Sequence, residues 1–213
     1  MADPTPLEIE LKFRVEEPDA FIALAQPLVL GDFRLQPAED VEQQYNIYFD
    51  TPDFRLRARR FGLRLRQLGA RRIVTLKGET QARDGLHQRA EWEMPVESDD
   101  PLQWPAGEAR DRAFALAGDA PLQPILVIQT TRQHVYAWRG SRRVAEIALD
   151  DGVIRAAGHE QAFRELEVEL LAGGERADLD ALGSLLRQHF VLQPDDRSKL
   201  ARGMALLEGR PAF

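Results

Sequence analysis

The sequence predicts an α+β fold: an eight-stranded antiparallel β-barrel forming a tunnel with a charged lumen, with helices packed outside. Three observations predict it. Short segments that alternate charged and apolar residues recur along the chain, each with the period of two that belongs to a strand. Turn residues separate many of them at the short spacing of antiparallel connections. Several charged faces carry one sign, as in Glu165/Glu167/Glu169 and Arg64/Arg66, and like charges in a row repel unless an opposite charge sits between them.

The first strand is Leu7-Glu8-Ile9-Glu10-Leu11-Lys12-Phe13, with Glu8, Glu10 and Lys12 on one face and the apolar residues on the other. Glu16-Glu17-Pro18-Asp19 then leads into a short helix over 20–25, with Asp19 as its cap. Residues 44–50, rich in aromatic and β-branched side chains, form a strand stopped by Thr51-Pro52. Residues 52–57 suit one or two helical turns. Strands follow at 63–66, 73–77 and 89–94, the last with Arg89, Glu91 and Glu93 on one face. The Pro-, Gly- and Asp-rich stretch 98–124 is a connection containing a helix around 108–116. Strands resume over 125–138, with Thr130, Arg132 and His134 of one parity, and over 143–150, with Glu146 and Asp150 of one parity. Asp151-Gly152 reads as a tight turn into a returning strand at 153–155. Residues 164–170 alternate again and end at Gly173-Gly174. Residues 178–190 carry Leu179, Leu182, Leu185, Leu186 and Phe190 at helical spacing, and 198–207 form a last helix with Ser198 as its cap.

At 213 residues the chain suits one domain, 1–213, with the barrel at about 5–171 and the C-terminal helices at about 178–208. It has no cysteine, which excludes disulfides, zinc-thiolate sites and cysteine catalysis. The four histidines lack metal-ligand spacing and read as surface or packing residues. No signal-peptide pattern opens the chain and no apolar run is long enough to span a bilayer, so a cytoplasmic protein without membrane contact is expected. The net charge of −7 argues against nucleic-acid binding. Arg55, Arg57, Arg59 and Arg60 read as a solvated face flanking the tunnel mouth.

The apolar faces Leu63/Leu65, Trp92/Met94 and Leu166/Val168/Leu170 match amphipathic helices that could cover them from outside, which leaves the charged faces for the lumen. About eight strands enclose room for one small ligand. A lumen with clustered carboxylates and clustered guanidiniums suits a metal-bound polyphosphate. Carboxylates hold Mg²⁺ or Mn²⁺ through oxygen, and Arg and Lys hold phosphate oxygens.

These residues resemble the CYTH superfamily, also called triphosphate tunnel metalloenzymes. The resemblance rests on Glu8-x-Glu10-x-Lys12, Tyr48-Phe49-Asp50-Thr51, Leu63-Arg64-Leu65-Arg66, Thr75-Leu76-Lys77-Gly78 and Glu91-x-Glu93. It continues through Glu146 with Asp150-Asp151-Gly152, Glu165-Leu166-Glu167-Val168-Glu169, and Ser198-Lys199 followed by Arg202-Gly203. These motifs run in the family's order across nearly the whole chain. The resemblance implies an eight-stranded tunnel that binds a triphosphate and divalent metal, and it is strongest toward bacterial inorganic triphosphatases. It implies Glu8, Glu10, Glu167 and Glu169 as Mg²⁺ or Mn²⁺ ligands, with Lys12 completing the catalytic set. Lys12, Arg64, Arg66, Lys77, Arg132 and Lys199 become phosphate contacts, and Glu91, Glu93, Glu146, Asp150 and Glu165 support them or bind a second metal. Many members carry Lys-x-Arg where this chain has Thr130-Thr131-Arg132, so one phosphate contact is missing from the pattern. Some relatives also carry a C-terminal helical polyphosphate-associated domain, which this chain lacks or has been separated from.

The expected reaction is hydrolysis of tripolyphosphate to pyrophosphate and phosphate by a monomer or homodimer. Thiamine or nucleoside triphosphatase, adenylate cyclase and a non-catalytic polyphosphate-binding module remain as alternatives. The carboxylate set argues for catalysis over mere binding.

Overall fold

A computed structural model describes residues 7–78 and 81–210, and for residues 7, 81 and 82 the backbone alone. The expected barrel limit near residue 5 and the domain bounds at 1 and 213 lie outside these residues.

Eight strands close into a barrel. In order around the wall they are β1 (Leu7–Arg14), β10 (His159–Leu170), β9 (Arg142–Ala156), β8 (Gln123–Arg139), β3 (Phe33–Asp50), β4 (Gly62–Leu68), β5 (Arg71–Lys77) and β7 (Leu86–Val96). Strand β1 pairs antiparallel with β10 on one side and with β7 on the other, which completes the closure. Short strands β2 (Leu28–Leu30), β6 (Gln81–Arg83) and β11 (Gln193–Pro194) add to the edges of β3, β7 and β1. Alternation then decides everything about the lumen: residues of one parity point in, and the other parity points out.

The outward parity is apolar and is covered by helices. Helix α4 (Arg176–His189) lays Leu179, Leu182 and Leu186 on Phe13, Leu166 and Val168. Helix α3 (Glu108–Ala117) packs Ala109, Ala113 and Ala117 on Leu63, Leu65, Val74, Leu76 and Trp92. Helix α5 (Lys199–Leu207), capped by Ser198 through a 3.1 Å bond accepted from the Ala201 amide, sets Met204 against Leu126, Ile128 and Ile154. Each buried leucine contributes about 1.5–3 kcal/mol. The core therefore lies outside the barrel, between wall and helices, and the lumen is left to polar groups.

Several local expectations are corrected. Asp19 is in the first turn of α1 (Asp19–Leu24), and Pro18 takes the cap position without a side-chain bond. Strand β3 begins at Phe33 rather than 44, because its register shift between Pro37 and Val41 absorbs the proline that hides the strand in the sequence. Asp151-Gly152 is no turn. Strand β9 runs straight through it to Ala156, and the reversal falls at Ala157 (φ 50°) and Gly158 (φ 78°). Gly152 serves close packing instead: a Cβ there would stand 2.3 Å from the Gln129 carbonyl oxygen. Gly152→Val is accordingly expected to destabilise the fold by about 3 kcal/mol or more, read as a lowered urea midpoint. Glu165, expected near a strand end, lies well inside β10 and is fully buried.

Candidate functional site

The inward parity lines one cavity of about 1010 Å³. Glu8, Glu10 and Lys12 enter it from β1, Glu167 and Glu169 from β10, Glu146 from β9, and Arg132 from β8. Arg64 and Arg66 enter from β4, Lys77 from β5, Glu91 and Glu93 from β7, and Lys199 from the first turn of α5. The structure thus brings together every sequence-predicted site residue except Asp150 and Glu165. Those two are fully buried behind the lining.

Register explains the convergence. Glu10 pairs with Glu169 and Lys12 with Glu167 across β1–β10, and Glu169 pairs with Glu146 across β10–β9. Strand β4 lies four places round the wall from β10 in either direction, so Arg64 and Arg66 face the β10 carboxylates across the lumen.

Most charges are matched. Arg89 donates to Glu8 at 2.6 Å and to Glu10 at 3.0 Å. Lys77 reaches Glu91 at 2.9 Å and Glu8 at 3.3 Å. Burial pushes the Glu8 carboxyl up, but Lys77 and Arg89 outweigh it and hold Glu8 well below the usual carboxylate range. Arg64 donates to Thr75 Oγ1 at 3.1 Å, and the Thr75 hydroxyl donates to Glu93 at 2.8 Å.

Among the described residues, two places are not matched. Glu169 is pushed up to about 7, first by burial and then by Glu8, Glu10 and Glu146, so its negative charge is disfavoured until a cation joins the cluster. Arg66 is pushed down to about 9, first by burial and then by Arg64 and Arg132, and its Nε donates to the neutral Asn46 amide oxygen at 2.9 Å. The lumen therefore has an anionic pole and a cationic pole. The anionic pole offers only oxygen donors, which fits a hard divalent cation such as Mg²⁺ or Mn²⁺.

A different cluster satisfies metal spacing without needing metal. Carboxylate oxygens of Asp150, Glu165 and Glu167 lie within 4.8 Å of one another. The Lys199 ammonium stands among them, 2.8 Å from Asp150, 2.9 Å from Glu167 and in contact with Glu165. Arg132 adds a fork onto Asp150, at 2.7 Å for both bonds, and one bond to Glu167 at 2.8 Å. Burial raises the Glu167 carboxyl, yet Lys199, Lys12 and Arg132 hold it well below its ordinary value.

Three further residues belong to this polar interior. Arg89 shares the inward parity of Glu91 and Glu93, which was the available signal. Arg202, one turn beyond Lys199, is fully buried, contacts Glu165 and lies 5.3 Å over the Phe163 ring. His134 is a correction to the reading of all histidines as surface or packing. It lines the cavity two places beyond Arg132, with Nδ1 2.6 Å from Glu146 and Nε2 3.3 Å from Glu42. Its bond to Glu146 pushes the imidazole up. At the rim, Arg57 and Arg60 line the cavity, whereas Arg55 and Arg59 turn away and donate to the Ala117 and Leu116 carbonyls at the end of α3, both at 2.7 Å.

Among known proteins, the chain is 30% identical over 203 residues to a protein of Haemophilus influenzae named inorganic triphosphatase, covering 93% of this chain and 54% of that one. It is also 30% identical over 212 residues to an uncharacterised protein of Mycobacterium tuberculosis, of which it covers 40%. The chain thus spans about half or less of the length of these curated relatives. The fold matches a putative adenylyl cyclase from Hippeastrum, described as having a dominant triphosphatase activity, with a TM-score of 0.72 at 20% identity over 95% of this chain and 96% of that one. It also matches a putative adenylate cyclase from Bacillus halodurans, with a TM-score of 0.61 at 24% identity over 92% and 96% of the two chains. The tunnel, its charged lining and a CYTH domain match over residues 6–204 agree, and the chain belongs to the CYTH family.

Proposed function

We propose that this chain hydrolyses inorganic triphosphate to pyrophosphate and phosphate with the help of Mg²⁺ or Mn²⁺, in the cytoplasm. The observation that carries the reading is one lumen lined by Glu8, Glu10, Glu146 and Glu169 on β1, β9 and β10 and, across from β10, by Arg64 and Arg66 on β4. A metal-bound triphosphate neutralises both at once.

Glu8, Glu10 and Glu169 hold the divalent ion, with Glu167 contributing from the same strand as Glu169. Bound there, the ion would withdraw charge from phosphate oxygens and lower the barrier to attack by water. Arg64, Arg66 and Arg132 take the phosphate oxygens on the far side, with Lys77 and Lys12 at the flanks. Lys199 keeps its carboxylate partners and reaches phosphate only at the edge of that cluster. Glu91, Glu93, Asp150 and Glu165 hold these cations in place, and Glu146 is held by His134. The new bond from water to the terminal phosphorus forms as the bridging P–O bond breaks, pyrophosphate leaves with the electron pair, and the attacking water gives up its proton to solvent. Little covalent chemistry is asked of the protein, so positioning and charge stabilisation carry the rate.

The test is phosphate release from tripolyphosphate, ATP and thiamine triphosphate, each with Mg²⁺, Mn²⁺ or EDTA. Release from tripolyphosphate should exceed the others and vanish in EDTA. Binding without release from any substrate would overturn hydrolysis in favour of a polyphosphate-binding module, and cyclic AMP formed from ATP would overturn it in favour of a cyclase.

A further inference from the structure

The rim segment 50–61 is built far more firmly than a solvated basic face requires. The Asp50 side chain is buried, with 2% exposure of the residue. Its Oδ1 accepts from the amides of Thr51 at 2.7 Å and Leu56 at 2.9 Å, and its Oδ2 accepts from the Arg57 amide at 2.9 Å. Thr51 Oγ1 accepts from the Arg55 amide at 2.9 Å and donates to Asp53 at 2.7 Å. These bonds fix a four-residue helix, α2 (Arg55–Ala58), between Phe54 at φ 56° and Arg60 at φ 62°. Both are left-handed and neither is glycine, a strained arrangement that persists only where the surroundings enforce it.

The result sorts four arginines. Arg55 and Arg59 fasten the end of α3, and Arg57 and Arg60 are delivered to the cavity. Arg57 donates to Glu208 at 2.6 Å, and Arg210, also at the cavity, contacts the same carboxylate. Among the described residues, two guanidiniums thus share one carboxylate at the rim. The tunnel below already matches Lys77, Arg89, Arg132 and Lys199 with carboxylates, and the cavity of about 1010 Å³ is larger than a bare triphosphate needs.

We propose that Arg57 and Arg60, set in place by the positioning residue Asp50, form an outer anion subsite that takes the phosphates of a linear inorganic polyphosphate extending beyond the triphosphate held inside. The occupant is a polyanion because what the segment delivers is guanidinium, whose fork matches phosphate oxygens. This inference rests on the proposed triphosphate site and extends it in chain length.

The experiment compares the apparent KM for tripolyphosphate with that for a size-fractionated longer linear polyphosphate, in the wild type, in Arg57→Ala/Arg60→Ala and in Asp50→Asn. The wild type should favour the longer chain. The double variant should lose about tenfold of that preference, read as the ratio of the two KM values, so that a general loss cancels. Asp50→Asn should move the ratio the same way with kcat changing less than KM. If Asp50→Asn does not fold, as judged by circular dichroism, the double variant decides alone. An unchanged ratio, or an equal loss for ATP, overturns the subsite. If no substrate is hydrolysed, the hydrolytic reading fails by itself. Calorimetric titration with each polyphosphate in Mg²⁺ then still reads the chain-length preference and its loss.

Discussion

Glu169→Gln is expected to lower kcat for triphosphate hydrolysis by about 10²–10³ and, in EDTA, to raise the melting temperature. The two effects have one cause. Glu169 pairs across its neighbours with Glu10 and Glu146, and burial together with Glu8, Glu10 and Glu146 raises its carboxyl to about 7. Without a cation this cluster opposes folding, and the neutral amide relieves it. Each kcal/mol relieved should appear as about 2–4 °C in a chain of this size. Divalent ion should reverse the order of the two proteins. At a hundredfold excess over Kd it adds about 2.7 kcal/mol to the wild type, and the variant should keep only a fraction of that. Thermal melts with and without Mg²⁺, beside steady-state kinetics, check all three. A lowered melting temperature in EDTA with kcat within about threefold of wild type would remove Glu169 from the metal site.

The sequence made the barrel legible because its strands are two-faced, and two-faced strands announce themselves by period. Leu63-Arg64-Leu65-Arg66 and Glu165-Leu166-Glu167-Val168-Glu169 needed no neighbours to be read, and both lie where alternation put them, charge inward and leucine or valine under helices. What period cannot show is where a strand stops. Pro37 concealed the first half of β3 because a bulge accommodates it, and Asp151-Gly152 imitated a hairpin because glycine serves close approach as well as left-handed turns. The three short edge strands have too few residues to show any period.

The candidate site was legible by parity and illegible by pairing. Alternation says which residues face the lumen, and it gathered nearly all of them. It cannot say which carboxylate meets which cation, because that depends on register between strands far apart in sequence. Hence Arg89, between Glu8 and Glu10, and Arg202, against Glu165, went unassigned. The same limit applies to His134: its spacing looked unlike a ligand, and only the pairing of β8 with β9 and β3 sets it between Glu146 and Glu42. The split into an anionic and a cationic pole also arises from strand order, with β4 opposite β10, which no single segment encodes.

Lys199→Met is expected to destabilise the fold by about 3–5 kcal/mol, a fall in melting temperature on the order of 10 °C. In the first turn of a helix a lysine opposes the helix dipole, so its position asks for a reason, and the structure supplies one. Asp150 and Glu165 are fully buried and Glu167 is nearly so, and the ammonium is shared among all three. Burial pushes the Lys199 amine down, yet Asp150 and Glu167 outweigh it and raise it above its ordinary value, so the charge is held firmly. A methionine fills comparable space and removes only that charge. Arg132, Arg202 and Lys12 remain, but their directions are already used, Arg132 on Asp150 and Glu167, Arg202 on Glu165, and Lys12 among Glu167, Glu165 and Glu10. Lys199→Arg keeps the charge but replaces a compact donor with a planar fork, and should recover only part of the loss. Urea unfolding of the three proteins gives the measurement. If Lys199 serves chiefly as a phosphate contact, Lys199→Met will instead raise KM about tenfold while the unfolding midpoint stays put. In that event Arg132, Arg202 and Lys12 suffice to hold the buried carboxylates, and the Lys199 ammonium belongs to the substrate rather than to the wall.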